Sequence, residues 1–193
     1  MRIPKLLLSA GLLACVGPSL GAQAAPAQPL STRYQISGGY AFFSNSFNGH
    51  STGASNQPLN GWDAAFAAPV WRSLAVKVDA GGFYGTSLTS PQHPIFLLGG
   101  VQASHGVGRE SVFIEGLAGF GHLNSNWWGG EFPGHTTSFT AVAGGGLDTP
   151  LAAHVSLRIQ GDFQYANFTV PDDQVHSLPN YFARIATGLV WKF

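Results

Sequence analysis

Apolar and polar side chains alternate with a period of two along most of the chain after residue 32. In the final segment, 181–193, the odd positions are mainly large and apolar, while the even positions are mainly small or charged. Because successive side chains of a β-strand point to opposite sides, this period indicates strands with one apolar face. Similar segments occur at 33–42, 74–81, 112–121 and 155–165, and weaker ones at 61–68, 95–105 and 138–148.

The connections between these eight predicted strands alternate in length. Most of the strands approach the roughly 9 to 11 residues that a tilted strand needs to cross a bilayer. Tight turns at one end and longer loops at the other are typical of an up-and-down barrel whose termini lie in the periplasm, on the side of the short turns. The predicted connections are short at 69–73, 106–110 and 149–153, intermediate at 86–94, and long at 44–60, 123–137 and 167–180.

Composition indicates that the apolar faces contact lipid. Only 9% of the residues are charged, against roughly 25% in an average soluble domain. The polar faces consist mainly of Gly, Ala and Ser, which suits the narrow interior of an eight-stranded barrel. A soluble, lipocalin-like barrel has the same alternation, but its outer face would carry more Lys, Glu and Thr. The sequence therefore predicts an all-β fold, an eight-stranded antiparallel up-and-down transmembrane β-barrel of the bacterial outer membrane.

The N-terminus has the features of a secretory signal peptide. A positively charged start precedes an apolar run at 6–16, and small residues at 22–24 offer a cleavage site. As an alternative, Cys15 follows Leu12-Leu13-Ala14, which resembles a bacterial lipobox, and would then carry a lipid. The predicted division of the chain is a signal peptide at 1–24, a short N-terminal segment at 25–32 and the outer-membrane β-barrel at 33–193.

Six charged residues, three of each sign, fall on the polar faces of the predicted strands. Charges inside a barrel must be paired, so we expect an ionic network that fills the lumen and blocks free diffusion. Asp162 and Arg184, on the last two strands, are expected nearer the outer side than the other four. A narrow ion path gated by switchable pairs is the alternative. The six residues are Lys77, Asp79, Glu115, Arg158, Asp162 and Arg184.

The C-terminal strand resembles the assembly signal of bacterial outer-membrane barrels, in which apolar residues alternate before a terminal Phe. The segment 112–121 and the hairpin containing 144–148 and 155–163 are similar to strands of the small OmpA/OmpX-like barrels. This resemblance covers 33–193 and implies an integral eight-stranded barrel that the barrel-assembly machinery inserts. The residues that resemble the assembly signal are Ile185, Leu189, Trp191 and Phe193.

No motif in the chain favours an enzyme or a metal protein over a structural barrel. Lipid A deacylases carry a His-x-Ser pair on the corresponding strand, where this chain has Asp162-Phe163-Gln164. The seven histidines lack the HxxxH and HExxH spacings of common metal sites. We therefore expect no catalytic residue, no metal and no cofactor. The net charge of zero favours no nucleic acid as a partner.

The predicted function is non-enzymatic: a structural role in envelope integrity, with contacts to outer-membrane lipid and lipopolysaccharide. The outer loops would add surface interactions with a partner that the sequence does not identify. Trp127 and Trp128 are expected in the third outer loop, outside any strand, and are candidate contacts for that partner. A narrow porin-like channel and a lipid A acyl-modifying enzyme are the alternatives.

Overall fold

The structure, a computed structural model, describes residues 33–44, 59–87, 90–127, 132–166 and 180–193. The predicted signal peptide at 1–24, the segment at 25–32 and Cys15 lie outside the described residues. Among the described residues, no helix is long and apolar enough to cross a membrane.

Eight antiparallel strands form one closed barrel in which each strand pairs with its neighbours in the chain, and the last pairs with the first. The closing pair runs from Gln35 opposite Lys192 to Ser44 opposite Ala183. This arrangement confirms the predicted fold class. The strands are β1 (Gln35–Ser44), β2 (Leu59–Trp71), β3 (Leu74–Ser87), β4 (Ser90–Val107), β5 (Glu110–Trp127), β6 (Phe132–Pro150), β7 (Val155–Ala166) and β8 (Asn180–Lys192).

Short connections lie at one end of the barrel, which we call the turn end, together with the chain's C-terminus. These connections are 72–73, 108–109 and 151–154. The second of them contains Gly108, whose φ of 64° lies in the left-handed region that glycine adopts without steric cost. The opposite end, which we call the loop end, is where β1, β3, β5 and β7 end and the strands that follow them begin.

Strands β4, β5 and β6 extend further toward the loop end than the sequence pattern predicts. The expected connections at 86–94 and 123–137 are largely strand, because β4 begins at Ser90 and β5 continues to Trp127. Trp127 pairs with Phe132 across the β5–β6 ladder, so its expected position outside any strand is wrong. Trp128 lies outside the described residues. Backbone pairing continues here although the side chains no longer alternate between apolar and polar.

The outer wall of the barrel is apolar. Large hydrophobic side chains at alternate strand positions are exposed, including Val78, Leu97, Ile114, Ile159 and Ile185. Within the described ranges, the exposed charged residues lie at strand ends or in turns and leave the middle of the wall uncharged. An uncharged apolar exterior with charges inside is the arrangement that a hydrocarbon solvent requires.

Candidate functional site

The lumen collects the charged side chains of the strands. All six residues of the predicted network point into the barrel and are buried. Asp63 and Asp148 are also buried there, and Lys192 enters from the turn end with its side chain 15% exposed. These last three residues are not among the six predicted lumen charges, although the same alternation along β6 and β8 places Asp148 and Lys192 on the inward faces.

Six of the lumen side chains form a closed ring of polar contacts, which we call the lumen ring. Lys77 Nζ lies 2.8 Å from Glu115 Oε2 and 3.3 Å from Asp79 Oδ2. Arg184 binds Asp79 through Nη1 at 2.9 Å and Asp162 through Nε at 2.6 Å. The amide of Gln160 completes the ring by donating to Glu115 Oε1 at 3.0 Å and to Asp162 Oδ2 at 2.8 Å.

The lumen ring crosses the whole interior, since its members come from β3, β5, β7 and β8 and β3 lies opposite β7 in the closed barrel. Arg184 and Lys77 are both 1% exposed, so water does not compete for their contacts. Buried charges require this degree of pairing because an unpaired ion loses several kcal/mol of hydration, by a rough estimate. At this level the lumen is filled by paired side chains.

Arg158 belongs to a separate group at the turn end, which corrects the expectation that it lies level with Lys77 and Glu115. Its guanidinium binds Asp148 through two hydrogen bonds, of 2.7 and 3.0 Å. Lys192 Nζ lies 3.4 Å from the same carboxylate, and the Arg158 guanidinium stacks over the Phe113 ring at 4.3 Å. On β7, Arg158 precedes the ring member Gln160 by two residues and Asp162 by four, which corresponds to roughly 7 and 13 Å along the strand.

An aromatic layer closes the loop-end half of the lumen. Phe43 contacts three other rings, with centroid distances of 4.9 Å to Phe83, 5.8 Å to Phe96 and 4.7 Å to Phe182. All four rings are buried, and Leu59 packs in the same cluster. The lumen face was predicted to consist mainly of small residues and charges, and the alternation predicted for β3 ended at position 81. If the alternation is extended to Phe83, it places that ring inside the barrel.

The remaining space in the lumen is small. A cavity of about 10 Å³ lies between the lumen ring and the Arg158 group, bordered by Ser37, Asp63, Arg158 and Gln160. A cavity of roughly this volume holds about one water molecule. A hydrated ion is too large for this cavity.

Glycines on the inward face of β6 make room for the lumen ring. A β-carbon added at Gly144 would overlap Asp162 Oδ1 and lie 2.7 Å from the carbonyl oxygen of Gly161. Since Gly144 stands directly between Glu115 on β5 and Asp162 on β7 in the strand register, any side chain there would displace a ring carboxylate.

Replacing Gly144 with alanine is expected to destabilise the barrel by about 1 to 3 kcal/mol, the usual cost of overpacking. The added methyl group would push Asp162 away from Arg184, and urea-induced unfolding in detergent would measure the loss. The matched control is Gly161→Ala, whose β-carbon meets no atom within 4 Å. Equal stability of the two variants would show that the close fit around Gly144 is not required.

The residues that resemble an assembly signal all face outward on the last strand. Ile185, Leu189, Trp191 and Phe193 are between 53% and 59% exposed. The Phe193 amide donates to the Tyr34 carbonyl oxygen at 3.1 Å and so extends the β1–β8 pairing to the last residue. Their role in assembly stays a prediction.

A His-x-Ser pair does occur in the region compared with the deacylases, at His154 and Ser156, but it lies at the turn end. Ser156 is buried in the lumen, whereas His154 is exposed and its Nδ1 lies 3.1 Å from the Lys192 carbonyl oxygen. Within the described ranges, no group of three or more His, Cys, Asp or Glu residues has the arrangement of a metal site.

Three solved structures have a backbone fold similar to that of this chain. Neisserial surface protein A (NspA) superposes with a TM-score of 0.59 at 12% identity, covering 83% of this chain and 97% of NspA. Ail, the attachment invasion locus protein of Yersinia pestis, gives 0.55 at 13% identity, covering 85% of this chain and 100% of Ail. The N-terminal β-barrel domain of Pseudomonas aeruginosa OprF gives 0.50 at 12%, covering 84% and 98%. The chain has the fold of the eight-stranded outer-membrane barrels.

Sequence comparison adds no closer relation. No protein-family model matches the chain, and no curated protein matches its sequence. At 12% to 13% identity the structural similarity establishes the fold, and function must be inferred from this chain's own residues. One further Ail structure, with a TM-score of 0.56, 13% identity and coverage of 83% and 98%, is a complex with the heparin analogue sucrose octasulfate.

Proposed function

We propose that this protein is an integral outer-membrane β-barrel with a closed lumen, which serves envelope integrity and not transport or catalysis. Its turn end, with the C-terminus, faces the periplasm, and its loop end faces the outside. Outer-membrane lipid and lipopolysaccharide surround the apolar wall, and the barrel-assembly machinery inserts the chain. The similarity of fold to NspA and Ail supports this placement.

The observation that carries the proposal is closure of the lumen at three successive levels. The Arg158 group lies at the turn end, the lumen ring crosses the middle, and the aromatic layer fills the loop-end half. A conducting barrel needs a continuous polar path, whereas paired charges and packed rings lie across the described lumen at these levels. The alternative of a narrow porin therefore requires all three levels to rearrange.

The outer loops are the surface through which we propose interaction with a partner. The connections 45–58, 88–89, 128–131 and 167–179 contain no Lys or Arg but do contain Glu131, Asp172 and Asp173. A highly sulfated ligand such as the one bound to Ail would meet acidic residues here and be repelled. Charge complementarity therefore favours a neutral or cationic partner for these loops, and Trp128 is the candidate apolar contact.

Planar bilayer recordings test the closed lumen. The wild-type protein is expected to produce no steady current above the lipid background. The Phe43→Ala, Phe83→Ala variant opens the aromatic layer alone and should stay closed, because the lumen ring remains. Adding Glu115→Ala, Arg184→Ala and Arg158→Ala removes the lumen ring and the Arg158 group as well, and should create a measurable conductance.

Heat-modifiable migration of each variant in gels checks that the barrel is folded. A sizeable open pore in the wild-type protein would refute the plug and support the porin alternative. The enzymatic alternative is tested by mass spectrometry of lipid A from cells with and without the protein. A gained or lost acyl chain would support that alternative.

A further inference from the structure

Four basic residues stand at three corners of the turn end. Arg33 precedes β1, Arg72 lies in the β2–β3 turn, Arg109 lies in the β4–β5 turn, and His154 lies in the β6–β7 turn. All four side chains are exposed. Arg33 Nη1 lies 3.4 Å from His154 Nδ1, so these two residues share one corner, whereas Arg72 and Arg109 lie in two other turns of the closed barrel.

Exposed apolar residues accompany the basic residues at this rim. Tyr34 adjoins Arg33 and is 50% exposed, Trp71 adjoins Arg72 and is 74% exposed, and Leu151 shares the turn of His154 and is 61% exposed. A ring at the apolar boundary beside a cation is the combination found where a membrane protein meets lipid headgroups. If this rim met only water or a polar soluble partner, the exposed apolar surface of Trp71 and Leu151 would stay in contact with water.

The exposed charges differ in sign between the two ends of the chain's barrel. At the turn end, Glu110 is the acidic residue among the exposed described side chains, against three arginines. The connections of the loop end contain no Lys or Arg. The attraction to an anionic surface is therefore confined to one leaflet.

We infer that the turn-end rim binds anionic phospholipids of the leaflet it contacts, with Arg33, Arg72 and Arg109 holding headgroup phosphates at three separate corners. This inference uses the placement in a membrane but does not depend on the closed lumen. Each arginine near an anionic lipid surface corresponds to about a fivefold preference over a zwitterionic lipid. The preference should weaken in high salt, because the Debye length falls from about 10 Å at 0.1 M to about 3 Å at 1 M.

Electron paramagnetic resonance of spin-labelled lipids in phosphatidylcholine vesicles tests the inference. The wild-type barrel should favour labelled phosphatidylglycerol over labelled phosphatidylcholine by about fivefold at its selective sites in 0.1 M salt. The triple variant Arg33→Gln, Arg72→Gln, Arg109→Gln should show no preference. Glu110→Gln, a charge change of the opposite sign at the same rim, should retain or raise the preference.

Heat-modifiable migration establishes that the triple variant is folded and inserted. Equal lipid preference of the wild-type and triple-variant proteins would overturn the inference, as would displacement of the labelled lipid by inorganic phosphate at constant ionic strength. Binding to purified peptidoglycan that depends on the three arginines, without lipid preference, would likewise overturn it and assign the rim to a cell-wall partner.

Discussion

Replacing Arg184 with methionine is expected to destabilise the folded barrel by about 3 to 5 kcal/mol, the usual cost of removing one partner from a buried ionic group. Arg184 is the cation that joins β3 to β7, because it binds both Asp79 and Asp162. Without it, two carboxylates stay buried with fewer hydrogen-bond donors and repel each other. Urea-induced unfolding of the refolded protein in detergent, followed by tryptophan fluorescence, measures the loss.

The matched control is Arg109→Met, an exposed arginine in the β4–β5 turn, for which a change within about 0.5 kcal/mol is expected. Adding Asp79→Asn and Asp162→Asn to Arg184→Met should recover much of the stability, since the buried negative charges are then removed together with the cation. A change of less than about 1 kcal/mol for Arg184→Met alone would contradict the lumen ring as a source of stability.

Placing an arginine at Ile159 is expected to destabilise the barrel in lipid vesicles by about 2 to 4 kcal/mol, the cost measured for a cation at the bilayer midplane. Ile159 lies on the outward face of β7, is 54% exposed and stands well inside the strand, whose ends are Val155 and Ala166. A guanidinium there must leave water for hydrocarbon. Unfolding by guanidinium chloride in vesicles provides the measurement.

Leu151→Arg is the control of matched chemistry, because Leu151 has a similar exposure of 61% but lies in the β6–β7 turn. At the interface the cost of arginine falls to about 0 to 1 kcal/mol. The difference in stability between the two variants therefore reports the depth of the arginine in the membrane, separately from the loss of the original apolar side chain. If both substitutions were equally harmless, the apolar wall would face water and the membrane placement would be wrong.

The alternation along the clearest strands, together with the composition of their two faces, was enough to predict which face points inward. On β8 it assigned Arg184 to the interior and Ile185 to the wall, and the structure has both as predicted. The residues at which the strands end could not be predicted from the alternation. The backbone ladder of β5 and β6 continues to Trp127 and Phe132 because paired neighbours stabilise it, and the side chains there carry no alternation.

The sequence by itself determined the number of strands, the lipid-facing and lumen-facing positions and the class of fold, because a period of two is a local property that a solvent difference imposes on each strand. Only the tertiary structure decided which charges meet. Arg184 and Asp79 lie 105 residues apart in the chain, and their contact depends on the stagger between strands on different sides of a closed barrel. That stagger arises from pairing around the whole circumference, so no single segment encodes the lumen ring or the aromatic layer.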